Sequence, residues 1–115
     1  MYQFSYDEAI EDDQAEARSA ERQALDQAIG LLQAADSAGL NTRATVEALY
    51  YTRRLWNAFV GELASEENAL PVEVRANLIS IGIWILKEAD SVQLGKSRNC
   101  AAIGEICAIV RDGLL

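Results

Sequence analysis

The chain has 115 residues, half of them apolar, with one proline, two cysteines, no histidine and a formal charge of −8. That size fits a single domain, and the abundance of Ala, Glu, Leu and Arg favours helices over a sandwich or barrel. The acidic balance argues against direct contact with nucleic acid or anionic lipid: both call for a basic face, and the ten Lys and Arg are dispersed, with no run longer than Arg53-Arg54.

The opening residues Tyr2, Phe4 and Tyr6 alternate with polar ones, the period of an extended segment. This predicts an arm that lays three aromatic rings on a helical body, the alternative being a frayed end. The segment has neither a cationic n-region nor an apolar h-region, so no signal peptide is expected. A first helix is predicted over about 13–38, with Asp12 or Asp13 as cap, Leu25, Ile29, Leu32 and Ala35 at helical spacing, and Gly39 as the left-handed stop. Its first half, "QAEARSAERQ", has only alanines for an apolar stripe, which predicts an exposed or loosely packed segment.

A second helix is predicted over about 43–64, capped by Thr42, with Leu49, Trp56, Phe59, Val60 and Leu63 on one face. "SEENALP" breaks that pattern. Pro71 suits the first position of a third helix, over about 71–94, where its missing N–H is not needed. Gly95 ends it. A fourth helix is predicted over about 99–112, capped by Asn99 or Ser97, with Ile103, Ile106, Cys107 and Val110 as its stripe. The expected fold is therefore all-α: a small single-domain bundle of about four helices with an extended aromatic N-terminal arm.

The stretch "LISIGIWIL" at 78–86 needs its own account. A membrane span requires roughly 20 apolar residues, and Arg75, Lys87, Glu88 and Asp90 crowd this run on both sides. A strand is disfavoured because Val74, Leu78, Ile81, Ile85, Ala89 and Val92 keep helical phase through and beyond it. Yet Ile79, Ile83 and Leu86 lie to one side of that ridge and Trp84 to the other. The apolar arc is wider than the roughly 100° of an ordinary surface helix. Two readings fit: the third helix is central and surrounded, or part of it is bare and receives a partner.

Chemistry-bearing constellations are missing. Histidine, the usual base and metal ligand, is absent. The glycines stand alone rather than in a phosphate loop. Cys100 and Cys107, one helical stretch of about 10 Å apart, are too far apart for a disulfide and read as small buried apolar residues of a reducing cytoplasm. No catalytic, cofactor-binding or metal-binding residue is expected, and no cofactor. Arg53 lies beside the apolar face of the second helix. It is placed to pair with a carboxylate of the first or third helix, to run its stem across Trp56, or to anchor an interface.

The segment "EALYYTRRLWNAFVGELASEENALPVEVRANLISIGIWILKEADSV" and the closing "EICAIVRDGLL" together resemble the FlaF family of flagellar biosynthesis proteins. The matching pieces are Arg54-Leu55-Trp56, Asn68 with Leu70-Pro71, Arg75-Ala76, Leu78-Ile79-Ser80, Trp84, Gly113-Leu114 and the opening "MYQFSY". One departure is Cys107, where the family tends to carry Asn. The resemblance implies a small cytoplasmic helical protein that is not an enzyme and is needed for flagellin production and filament assembly. It implies two partners, flagellin and the post-transcriptional regulator FlbT, and two roles: an export and assembly chaperone that binds new flagellin, or an adaptor that binds FlbT and tunes flagellin translation. A helix-in-groove mode would draw on Arg53, Leu55, Trp56 and Phe59 of the second helix and Ile79, Ile83 and Trp84 of the third. The same residues also fit a core or a dimer interface, so the oligomeric state stays open.

Overall fold

The computed structural model describes the backbone of residues 2–39 and 41–113, and the side chains of residues 16–39 and 41–113. Four helices follow one another: α1 (Tyr2–Ala38), α2 (Arg43–Ala64), α3 (Val72–Gln93) and α4 (Cys100–Asp112). The last three lie within a residue or so of their predicted bounds. α1 begins at Tyr2 rather than near residue 13, so the backbone expected to be extended is helical; no glycine or proline interrupts the chain before Gly30. The placement of the Tyr2, Phe4 and Tyr6 rings falls outside the described side chains. Residues 16–20 of α1 are exposed all round, as their alanine-only stripe predicts.

The connections are short and well bonded. Gly39 (φ 94°) and Asn41 (φ 61°) both adopt the left-handed region, which Gly and Asn tolerate best, and this reverses the chain after α1. Thr42 then caps α2 by accepting from the Thr45 N–H, while the Thr42 and Thr45 hydroxyls both donate to the Gly39 carbonyl at 3.0 Å. α3 ends in a Schellman arrangement. With Gly95 at φ 76°, its N–H reaches the Val92 carbonyl at 3.1 Å and the Lys96 N–H reaches that of Ser91 at 2.9 Å.

The "SEENALP" loop is held by two side chains. Asn68 donates to the Glu62 carbonyl (3.1 Å) and accepts from the Leu70 N–H (3.0 Å). Arg75, one turn into α3, donates to the carbonyls of Leu63 (2.8 Å) and Ser65 (2.9 Å). A cation thus sits on carbonyls at the end of α2, where the helix dipole favours it; the Ser65 carbonyl also accepts from the Asn68 N–H at 3.1 Å. Pro71 occupies the N-cap position, one residue before α3 begins. At the other turn Glu88 accepts from Ser97 and Asn99. Asn99 occupies the expected N-cap position of α4 but makes no side-chain cap bond, and Ser97 accepts from the Asn99 N–H.

The helices pack in the order α4–α1–α2–α3: α1 and α2 form the middle pair, each lying along two neighbours, and α3 meets α4 only briefly. The core draws Leu25, Leu32 and Ala35 from α1, Ala48, Leu49 and Trp56 from α2, Ile85, Ala89 and Val92 from α3, and Cys100, Ile103 and Cys107 from α4. This overturns the reading of α3 as the surrounded helix. Its deeply buried positions, Gly82, Ile85, Ala89 and Val92, form one narrow face. The predicted ridge is sealed only in its second half: Leu78 and Ile81 are half-buried and Val74 is exposed.

Gly82 is what lets α3 lie so close to α2. A Cβ built there would fall 2.6 Å from Val60 Cγ2 and 3.1 Å from Trp56 Cε3, both well inside ordinary van der Waals contact.

Candidate protein-binding surface

The seven residues predicted to form one groove are distributed over several surfaces. Trp56 is 1% exposed and belongs to the core, which corrects its expected role as an accessible anchor: its ring lies against Gly82 of α3 and faces Cys107 of α4. Its ring meets Phe59 edge-on, centroids 5.3 Å apart. The indole Nε1–H makes no contact of hydrogen-bond geometry among the described residues. Burial pushes the Cys107 thiol up, and the Trp56 indole facing it opposes that in part.

Leu55 and Phe59 are partly buried and packed against the core. Arg53 is engaged within the chain: its Nη2 lies 2.9 Å from Asp90 Oδ1 and makes a longer 3.4 Å contact with the Ala89 carbonyl. Of the three alternatives for Arg53, pairing with a carboxylate of the third helix is the one observed. That pair bridges α2 and α3 at the surface.

Two of the three α3 residues are open to water. Ile83 is 44% and Trp84 41% exposed, and Ile79 is half-buried. At about 100° per residue, Ile79 and Ile83 share a side of α3 with Val72 and Leu86. Val72 is 75% exposed. Asp90 lies on this side too and faces Arg53 of α2, so the stripe runs beside the outer edge of the α2–α3 pair. Trp84 projects from the opposite flank. α2 continues the apolar character with exposed Val46 and Tyr50, and the Arg54 guanidinium lies 5.7 Å from the centroid of the Tyr50 ring. Exposed apolar side chains are unremarkable one at a time; a run of them along one helix marks an interaction surface.

A second feature lies at the end of the bundle where α2 finishes and α3 begins. There α3 diverges from α4 and leaves an open cleft with a cavity volume of about 80 Å³. Trp56, Phe59 and Leu63 of α2 line it with Leu70 of the loop, Leu78 of α3 and Val110 of α4. Asn68 of the loop and two carboxylates, Glu21 of α1 and Glu62 of α2, complete the lining. Burial, and after it the neighbouring charge of Glu62, holds the Glu21 carboxyl above its usual range. Sequence reasoning missed this cleft. Phe59 to Glu62 is a visible i, i+3 step, but the meeting of α1 with the far end of α2 depends on the order of packing.

Among the described residues, no group of three His, Cys, Asp or Glu is placed to hold a metal, and no helix is long and apolar enough to cross a membrane. Comparison with known proteins gives one result: the family described as "Flagellar protein FlaF" matches over residues 2–114. No curated protein and no solved structure matches the chain. With the match spanning nearly its whole length, the chain belongs to the FlaF family of flagellar proteins.

Proposed function

We propose that this chain is a non-enzymatic cytoplasmic protein that binds newly made flagellin as an export and assembly chaperone, and so supports flagellin synthesis and filament assembly. The observation that carries the reading is the bare apolar stripe of α3. Val72 and Ile83 stay open to water along one side of α3, at the edge of a bundle whose core is already filled by other residues. A client segment that is amphipathic and helical when assembled would otherwise expose its own apolar face. Laying it along α3 covers both surfaces at once. Ordering the client offsets part of the gain, which keeps affinity moderate and release feasible.

The test is co-purification of flagellin with the wild-type chain and with Ile83→Asp. Ile83 is exposed, so the variant should fold normally. Loss of flagellin from a folded Ile83→Asp chain supports the reading. Capture of FlbT without flagellin would replace it with the adaptor role, and unchanged flagellin capture by Ile83→Asp would remove α3 from the interface.

A further inference from the structure

We propose that the open cleft at the α2–α3 end of the bundle receives a cation-bearing amphipathic helix of a protein partner, with an apolar side chain set against Phe59, Leu70 and Leu78 and a neighbouring Lys or Arg set against Glu21 and Glu62. This rests on the reading of the chain as a binder of helical clients and adds the chemistry of the client's contact. It does not depend on the client being flagellin.

The walls and the rim of the cleft point to different halves of such a ligand. The walls are large apolar side chains from α2, α3, α4 and the loop, and they remain separated because α3 diverges from α4 there. The cavity itself is about 80 Å³, room for one side chain rather than a helix, so the bulk of the ligand would lie across the mouth.

Both rim groups are acidic, and neither has a cationic partner among the described residues. Elsewhere the chain does pair its acids across helices: Arg53 meets Asp90 at 2.9 Å and Arg111 meets Asp26 at 2.8 Å. Glu21 and Glu62 are also near enough for one charge to act on the other. A cation placed between them would relieve that repulsion in a setting less screened than the open surface. An anionic segment would meet two like charges at the rim and a net charge of −8 behind them.

Trp56 lines the cleft, and the chain's only other tryptophan is Trp84. A Trp84→Phe variant therefore leaves one indole, placed to report on the cleft. Into it one titrates two synthetic helical peptides of about 20 residues that share a leucine stripe at i, i+3, i+4, i+7 spacing. One peptide flanks the stripe with Lys and the other with Glu. The expected result is saturable binding of the Lys peptide with a change in Trp56 emission, weakening as salt rises. The Glu peptide should bind at least tenfold more weakly. Adding Glu21→Gln and Glu62→Gln, which should not harm folding, is expected to weaken the Lys peptide by about fivefold to tenfold, as for two partly exposed ion pairs. Adding Leu70→Ser instead should weaken it with the salt dependence intact.

Equal binding of both peptides, unchanged binding by the double Gln variant, or no saturable binding of either would overturn the proposal. None of those outcomes touches flagellin capture through Ile83. Conversely, loss of the flagellin reading leaves the peptide preference standing.

Discussion

Replacing Gly82 by alanine isolates the closest approach between two helices of this bundle. The new methyl would lie 2.6 Å from Val60 Cγ2 and 3.1 Å from Trp56 Cε3. Carbon atoms in contact prefer about 3.5–4.0 Å, so the pair must open by roughly an ångström. Trp56 is boxed into the core and cannot give way, and Val60 is stiff at χ1. Overpacking of this kind costs about 1–3 kcal/mol. Alanine recovers about 1 kcal/mol of helix propensity, so Gly82→Ala should be mildly destabilising overall.

The sharper quantity is a difference. Gly30 and Gly61 are also helical, and a Cβ at either meets nothing within 4 Å. Alanine there should stabilise by about 0.5–1 kcal/mol. The propensity term cancels between Gly82→Ala and Gly61→Ala, leaving an overpacking gap of about 1–3 kcal/mol. Urea unfolding followed by far-UV circular dichroism reads that gap directly if the transition is two-state. Trimming the obstacle with Val60→Ala should narrow it by about 1 kcal/mol in the double variant. If Gly82→Ala proves as stable as Gly61→Ala, α3 does not lie against Trp56 and Val60 as described, and the surface assigned to its far side loses its basis.

Other outcomes follow from particular contacts. Arg75→Ala should lower stability by about 1–2 kcal/mol in thermal or urea melts, because it strips charged donors from the Leu63 and Ser65 carbonyls at the end of α2; Arg75→Lys should restore only part of the loss. Glu21→Gln should raise the melting temperature at neutral pH. The carboxyl of Glu21 is held above its unfolded value, so the folded state binds its proton more tightly and loses stability as pH rises through that raised value. The advantage of the variant should fade as pH falls below the ordinary glutamate range. Burial pushes both the Cys100 and Cys107 thiols up, and both are enclosed. Iodoacetamide at neutral pH should therefore label neither in the native protein and both in urea.

The helix ends were readable from sequence because the residues that make them are local. Gly39, Thr42 and Gly95 carry their backbone geometry or capping oxygen wherever the helices go. The interior was readable where periodicity was strong, as at Leu25, Leu32, Ile85 and Val92. What stayed hidden depends on which helix lies beside which. α3 carries the widest apolar arc, but α1 and α2 take the middle, because each packs along two neighbours while α3 packs along α2 and meets α4 only briefly. Trp56 looked like an anchor, and becomes core only because Gly82 of another helix closes over it. Arg75 and Asn68 read as family signature pieces, and the structure gives them a physical task in tying α2 to α3. Of the proposed binding residues, Ile83 and Trp84 lie exposed outside the core, while Arg53 is committed to Asp90 and Leu55 and Phe59 lean against the core.

The claim at the centre of this account is that the uncovered side of α3 is the surface a flagellin client lies on. Isothermal titration of purified monomeric flagellin into the wild-type chain and into Ile83→Asp, with circular dichroism confirming equal helicity, tests it most directly. The wild type should bind saturably, and Ile83→Asp should bind at least tenfold more weakly at unchanged stability. Equal affinities for the two folded chains would contradict it.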